Sequence, residues 1–165
     1  MQSYLKLPEV GLDTIKKNKV AFARELAAEF VGTMLLVMIG CGSAMSGDED
    51  DGEGQLGEQA LYVRRALGFG LAYATIAHMV GHISGCHINP AITVGLMAGA
   101  KMDVIKGFAY VLAQSLGGLL GGALLKAMVP CYTRGKGGLG STALGEGVSV
   151  AQVIQWCAHC RSSRR

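Results

Sequence analysis

At 165 residues with a net charge of +3, the chain is half hydrophobic and only 16% charged, well below the roughly 25% of a soluble domain. The small charge, without a basic stripe and interleaved aromatics, excludes a nucleic-acid binder. Five cysteines without framework spacing exclude a disulfide scaffold, and 25 glycines suit membrane helices, which use glycine freely.

The N-terminus lacks a basic segment followed by a short apolar core, so no cleavable signal peptide is expected. Residues 1–20 read as a cytoplasmic N-terminal segment. A membrane-spanning helix needs about 20 mostly apolar residues. The first predicted span, residues 21–45 ("AFARELAAEFVGTMLLVMIGCGSAM"), begins its apolar core at Phe30, just after Glu29. Residues 46–59, "SGDEDDGEGQLGEQ", are acidic and glycine-rich and read as a solvated loop. The second span, 66–82 ("ALGFGLAYATIAHMVGH"), is polar only at its histidines. The third, 108–128 ("FAYVLAQSLGGLLGGALLKAM"), is broken only by Gln114, Ser115 and Lys126. Soluble helices of this length rarely have such thin polar faces, so the expected class is an all-α, multi-pass membrane protein. Lys6, Lys16, Lys17, Lys19 and Arg24 precede the first span, and Lys101 and Lys106 precede the third. This asymmetry favours a cytoplasmic N-terminus, with Arg64 and Arg65 as the exceptions on the outer side.

Between the second and third spans lies "SGCHINPAIT", residues 84–93, leading into a stretch of helical composition, 91–100, that is too short to cross a bilayer. Asn89 is a preferred N-cap and Pro90 a preferred first helical residue. The pattern predicts a re-entrant half-helix that starts partway into the membrane. Non-helical backbone at that depth is tolerated where it lines a cavity or is buried in protein. The N-terminus of the half-helix carries about half a positive charge. Asn89 can accept from its own helix through Oδ1 and offer Nδ2–H to a passing solute. The carbonyls of Gly85, Cys86 and His87 have no helical partners and serve as acceptors. A donor at a positive helix end beside a ladder of acceptors suits a small neutral hydrogen-bonding solute and repels cations.

These residues resemble a known family. "GHISGCHINPAITVGL" (81–96) is similar to the first Asn-Pro-Ala loop of the aquaporin, or major intrinsic protein, family. "AEFVGTMLLV" (28–37), "LGFGLAYATIAHMVGHISG" and "AYVLAQSLGGLLGGALL" resemble its first three helices, so that the likeness covers roughly residues 20–152. The resemblance implies an aquaporin-like fold, here its first inverted repeat only: three transmembrane helices plus the half-helix, residues 21–152. It makes Asn89, Pro90 and Ala91 the pore signature and gives Gly85, Cys86 and His87 the pore carbonyls. Phe69 falls at an aromatic position of the selectivity filter, where phenylalanine resembles the water-selective members. Glu29 and Gln114 match buried polar residues that support the pore loop. The resemblance further implies water as permeant, residence in a lipid bilayer at the plasma membrane, and homo- or hetero-oligomers, tetrameric in the family. No cofactor is implied.

His78 and His82 are expected as structural hydrogen-bonders. The pairs Gly117 with Gly121 and Gly118 with Gly122 are expected to permit close helix packing. Cys157 and Cys160 flank His159 in a CAHC tetrapeptide, but no second ligand pair accompanies them, and no metal site is assigned. No nucleophile stands at a plausible spacing from a base, so an enzyme is not expected. The departure from the family comes after Gln152. The tail, residues 153–165 ("VIQWCAHCRSSRR"), has no glutamate where the family's fourth helix carries one, and the Asn-Pro-Ala motif occurs once. The expectation is a truncated half-channel with a divergent tail, lacking the second signature and the filter arginine. Such a chain is either a water-channel family member acting as an incomplete pore, or a non-conducting form that modulates full-length relatives by co-assembly.

Overall fold

The computed structural model describes residues 18–45 and 55–129. The N-terminal segment 1–17, most of the acidic loop, the CAHC tetrapeptide and the tail 153–165 lie outside the described residues. Four helices follow in chain order: α1 (Lys19–Ser43), α2 (Gln55–Ser84), α3 (Pro90–Ala98) and α4 (Val104–Met128). Helices α1 and α4, and the stretch Gln59–Ser84 of α2, are long and apolar enough to cross a membrane. The short α3 rises only about 14 Å, roughly half a bilayer core.

Local signals account for the starts. Asn18 caps α1, its side chain accepting from Ala21 N at 3.0 Å, and Asn89 caps α3 in the same manner. The largest boundary difference is at the start of α2, expected at residue 66; α4 likewise starts at residue 104 rather than 108. Residues 55–59, read above as the end of the acidic loop, already belong to α2. The window "QLGEQAL" is polar, and so fails a hydropathy test, but Gln, Leu, Glu and Ala are good helix formers and lengthen α2 without being apolar. Helix α2 is therefore 30 residues long, about 45 Å, and outruns the roughly 30 Å hydrocarbon core.

Helix α1 is central and packs against both α2 and α4, while α3 packs on α4. The α1–α4 seam is close. A Cβ on Gly117 or Gly121 would overlap the carbonyl oxygens of Phe30 and Met34 respectively, so backbone meets backbone there. Without a hydrophobic drive between helices in lipid, such contact is the main source of association. The neighbouring pair behaves differently: Gly118 has only ordinary contacts available, and nothing stands near Gly122. Only the 117/121 stripe packs.

On the other side of α1, Ala28 joins Ile76 and Val80 of α2 and Cys86 and Ile88 of the following loop in the buried apolar cluster. Towards the far end, the Phe69 ring covers Gly40 and Ser43 fills the space over Gly68. Arg64 donates to Met45 O at 2.6 Å and ties the end of α1 to α2. Phe108, Leu112, Leu116 and Leu119 of α4 are exposed, as suits side chains whose solvent is lipid.

Candidate functional site

The chemistry gathers around one carboxylate. Glu29, on the inner face of α1, is fully buried. A buried charge is tolerated only when paired or saturated with hydrogen bonds, and Glu29 has four donors. Its Oε1 accepts from Ser84 Oγ at 2.6 Å and from His87 N at 2.9 Å. Its Oε2 accepts from Ile88 N at 2.6 Å and from Gln114 Nε2 at 2.8 Å. The four donors come from the end of α2, the loop and α4, so a single side chain fastens three segments to α1.

The loop between α2 and α3 needs that fastening. Cys86 and Ile88 have φ of 52° and 39°, and Gly85 has φ of 87°. Positive φ is natural for glycine, but for a β-branched isoleucine it is a rare conformation costing on the order of 1–3 kcal/mol. It persists where surrounding bonds over-determine it, and here the amides of residues 87 and 88 both point at Glu29. Ser84 Oγ meanwhile accepts from Cys86 N at 3.1 Å.

Peptide planarity converts this into the orientation of the opposite edge. In a trans peptide the carbonyl of one residue points opposite to the N–H of the next, and no peptide among the described residues is cis. With the amides of His87 and Ile88 turned to Glu29, the carbonyls of Cys86 and His87 point away from it. With the Cys86 amide turned to Ser84, so does the carbonyl of Gly85. Among the described residues, nothing donates to these three oxygens.

The half-helix start lies beside them. Asn89 Oδ1 accepts from Ala91 N at 2.8 Å, leaving its Nδ2–H donors without a partner among the described residues. Asn89 and Ala91 are exposed, and Pro90 is half-buried. Thr93, fully buried one turn on, locks α3 to α4. Its Oγ1 accepts from Gln114 Nε2 at 2.9 Å and lies 3.1 Å from His87 Nδ1. A further bond runs from Thr93 Oγ1 to Asn89 O, 3.3 Å. Tyr110, with no exposed surface, donates from its hydroxyl to Ser84 O at 3.2 Å and stacks at a tilt on His87, with centroids 5.3 Å apart.

Of the residues expected at the site, Glu29, Gln114, Gly85, Cys86, His87, Asn89, Pro90 and Ala91 therefore come together. Phe69 does not join them. It lies on α2, partly exposed and against Gly40, fifteen residues before Ser84, or about 22 Å along the helix. His78 and His82 are exposed on α2, and their side chains make no hydrogen bond among the described residues, contrary to their expected structural role. The face of α2 that packs inward is the i, i+4 row Ala72, Ile76, Val80, which leaves both imidazoles outside. Sequence reasoning passed over Ser84, Thr93 and Tyr110.

Three long apolar helices and a short half-helix held by buried polar bonds define a multi-pass membrane protein. The family model "Major intrinsic protein" matches residues 16–156, and the chain belongs to that family. It is 39% identical over 137 residues to the lens fiber major intrinsic protein of Rattus norvegicus, covering 82% of this chain and 48% of that protein. It is 37% identical over 137 residues to Aquaporin-1 of Homo sapiens, covering 83% and 50% respectively. Human Aquaporin-2 is 39% identical over 139 residues, 83% of this chain and 47% of its own length. The chain thus spans about half the length of the curated relatives it matches.

Proposed function

We propose that the chain provides one half of a transmembrane water pore, with the loop 85–91 as its lining. The observation that carries the reading is the polarity of the loop. The amides of residues 86–88 are consumed by Ser84 and Glu29, and among the described residues the carbonyls of 85–87 stay unpaired beside the Asn89 amide. A ladder of acceptors ending at one donor, with the positive end of α3 behind it, matches a neutral solute that both gives and takes hydrogen bonds and opposes a cation. Family membership supports a channel, and the relatives named aquaporins support water as the permeant. Phe69 is assigned to the selectivity filter as its aromatic wall, and Glu29 and Gln114 to support of the loop. The fully assembled pore is an oligomer in the plasma membrane with the N-terminus in the cytoplasm.

The test is osmotic shrinkage of proteoliposomes containing the inserted chain, followed by stopped-flow light scattering. Water permeability above that of protein-free vesicles, lowered by Asn89→Asp, supports the reading. Permeability equal to the lipid background overturns conduction by this chain alone. A second reading then applies, favoured by the exposure of Gly85, Asn89 and Ala91 on a face that the described residues leave open. Unpaired polar backbone is not stable against lipid, so the same face would be covered in a complex with a full-length relative, and the chain would modulate rather than conduct. Co-expression with a full-length relative at matched levels tests it; unchanged channel activity counts against it.

A further inference from the structure

The seam between α1 and α2 carries a feature that the loop chemistry above does not use. Phe69 continues the inward row Ala72, Ile76, Val80 of α2 away from the loop. Those three residues are buried, whereas Phe69 is 41% exposed. One edge of its ring lies over Gly40 of α1, itself buried, and a Cβ at residue 40 would overlap three ring carbons. A second contact fixes the register beside it. Ser43 of α1 fills the space over Gly68, and its hydroxyl is tied back to Gly40 O at 2.7 Å. Two adjacent residues of α2 are thus matched to α1, one as a knob and one as a hole.

Gly40 differs from the glycines of the α1–α4 seam. At Gly117 and Gly121 the opposing atoms are main chain, so an added methyl must part the helices. At Gly40 they are the edge of a side chain that turns about two bonds, so the ring gives way first. On a helix an aromatic χ1 has two staggered wells available, and the notch at Gly40 makes room for the one observed. We propose that Gly40 is a positioning residue that sets the reach of Phe69: lacking a Cβ, it takes the ring edge into the α1–α2 seam and keeps the aromatic wall drawn back. Any side chain at residue 40 drives the ring outwards and narrows the passage it borders. That this passage carries water, and that its width selects small solutes, rests on the pore reading above; the placement of the ring does not.

The experiment places 4-fluorophenylalanine at residue 69 of the full chain in lipid bilayers and follows its fluorine resonance, in H2O and in D2O to register contact with water. Gly40→Ala is expected to shift the resonance. Gly42→Ala, which meets only an ordinary contact with Leu125, leaves it in place. So does Gly121→Ala, which strains the other seam, so that lost stability alone does not account for the shift. An unchanged resonance in Gly40→Ala, or an equal shift in either control, overturns the proposal. Where circular dichroism shows Gly40→Ala unfolded, adding Phe69→Ala is expected to restore folding, and failure of the double variant also overturns it. In the same vesicles Gly40→Ala is expected to lower osmotic water permeability, and Phe69→Ala to recover it in that background. A conducting chain whose permeability ignores a displaced ring overturns the role in width. If the ring shifts but its resonance is indifferent to D2O and the vesicles pass no water, the pore reading falls and the placement stands.

Discussion

The two sides of the 85–91 loop make opposite use of the same backbone. The inner side, facing α1 and α4, is saturated: one carboxylate takes four donors, and Thr93, Gln114 and Tyr110 close the remaining gaps. The outer side has three carbonyls and an amide without partners among the described residues. Because a peptide group is rigid, satisfying one edge fixes the direction in which the other points. The lesson is that polar chemistry on the outer face is built by bonds made elsewhere, and a substitution on the hidden side should damage it more than one on the visible side.

That difference can be broken from within. Glu29→Gln replaces an all-acceptor group with one bearing its own N–H donors, which must face the donors of Ser84, His87, Ile88 or Gln114. Its expected destabilisation is about 3–5 kcal/mol, the range for breaking a buried charge network, read as a lower midpoint in SDS or thermal unfolding. Gly121→Ala pushes a methyl into Met34 O and is expected to cost about 1–3 kcal/mol. The matching Gly122→Ala, with open space, should lie within about 0.5 kcal/mol of wild type. Equal effects from the two glycines would remove the α1–α4 seam as the source of rigidity. Thr93→Val keeps the shape but leaves Gln114 and His87 facing a methyl, with an expected loss of about 1–3 kcal/mol that Thr93→Ser should largely restore. Asn89→Ala removes the cap of α3 and should cost about 1 kcal/mol. Under the pore function proposed above, it lowers water permeation far more than it lowers the unfolding midpoint, because Nδ2 belongs to the open side.

Much of this arrangement was legible along the chain. Hydropathy located α1, α4 and most of α2, and the pair Asn89-Pro90 announced α3 by cap chemistry alone. The first turns of α2 were hidden because a polar, helix-favouring segment resembles a loop when only apolarity is measured. In the site, Glu29 and Gln114 stood out as polar residues inside apolar runs. Ser84, Thr93 and Tyr110 did not, since a serine, a threonine and a tyrosine are ordinary in membrane helices. A signal for Tyr110 existed in the spacing. Lys106, Tyr110 and Gln114 recur every four residues on α4, and Glu25, Glu29 and Thr33 do so on α1, so each set forms one stripe. Two polar stripes of the same period in two spanning helices must face one another or pay for exposure to lipid. What no spacing could give was the pairing of Glu29 with amides 58 and 59 residues later, because main-chain donors leave no mark in composition.

That separation along the chain also sets an order of assembly. Glu29 is made before every group that satisfies it, so α1 cannot reach its final depth as a finished unit while residues 84–88 are still to be synthesised. Its carboxylate must stay hydrated at the interface until the loop arrives. Insertion of the first helix and closure of the re-entrant loop are then one cooperative event, and a ribosome paused between residues 45 and 84 would hold an α1 still able to slide back towards water.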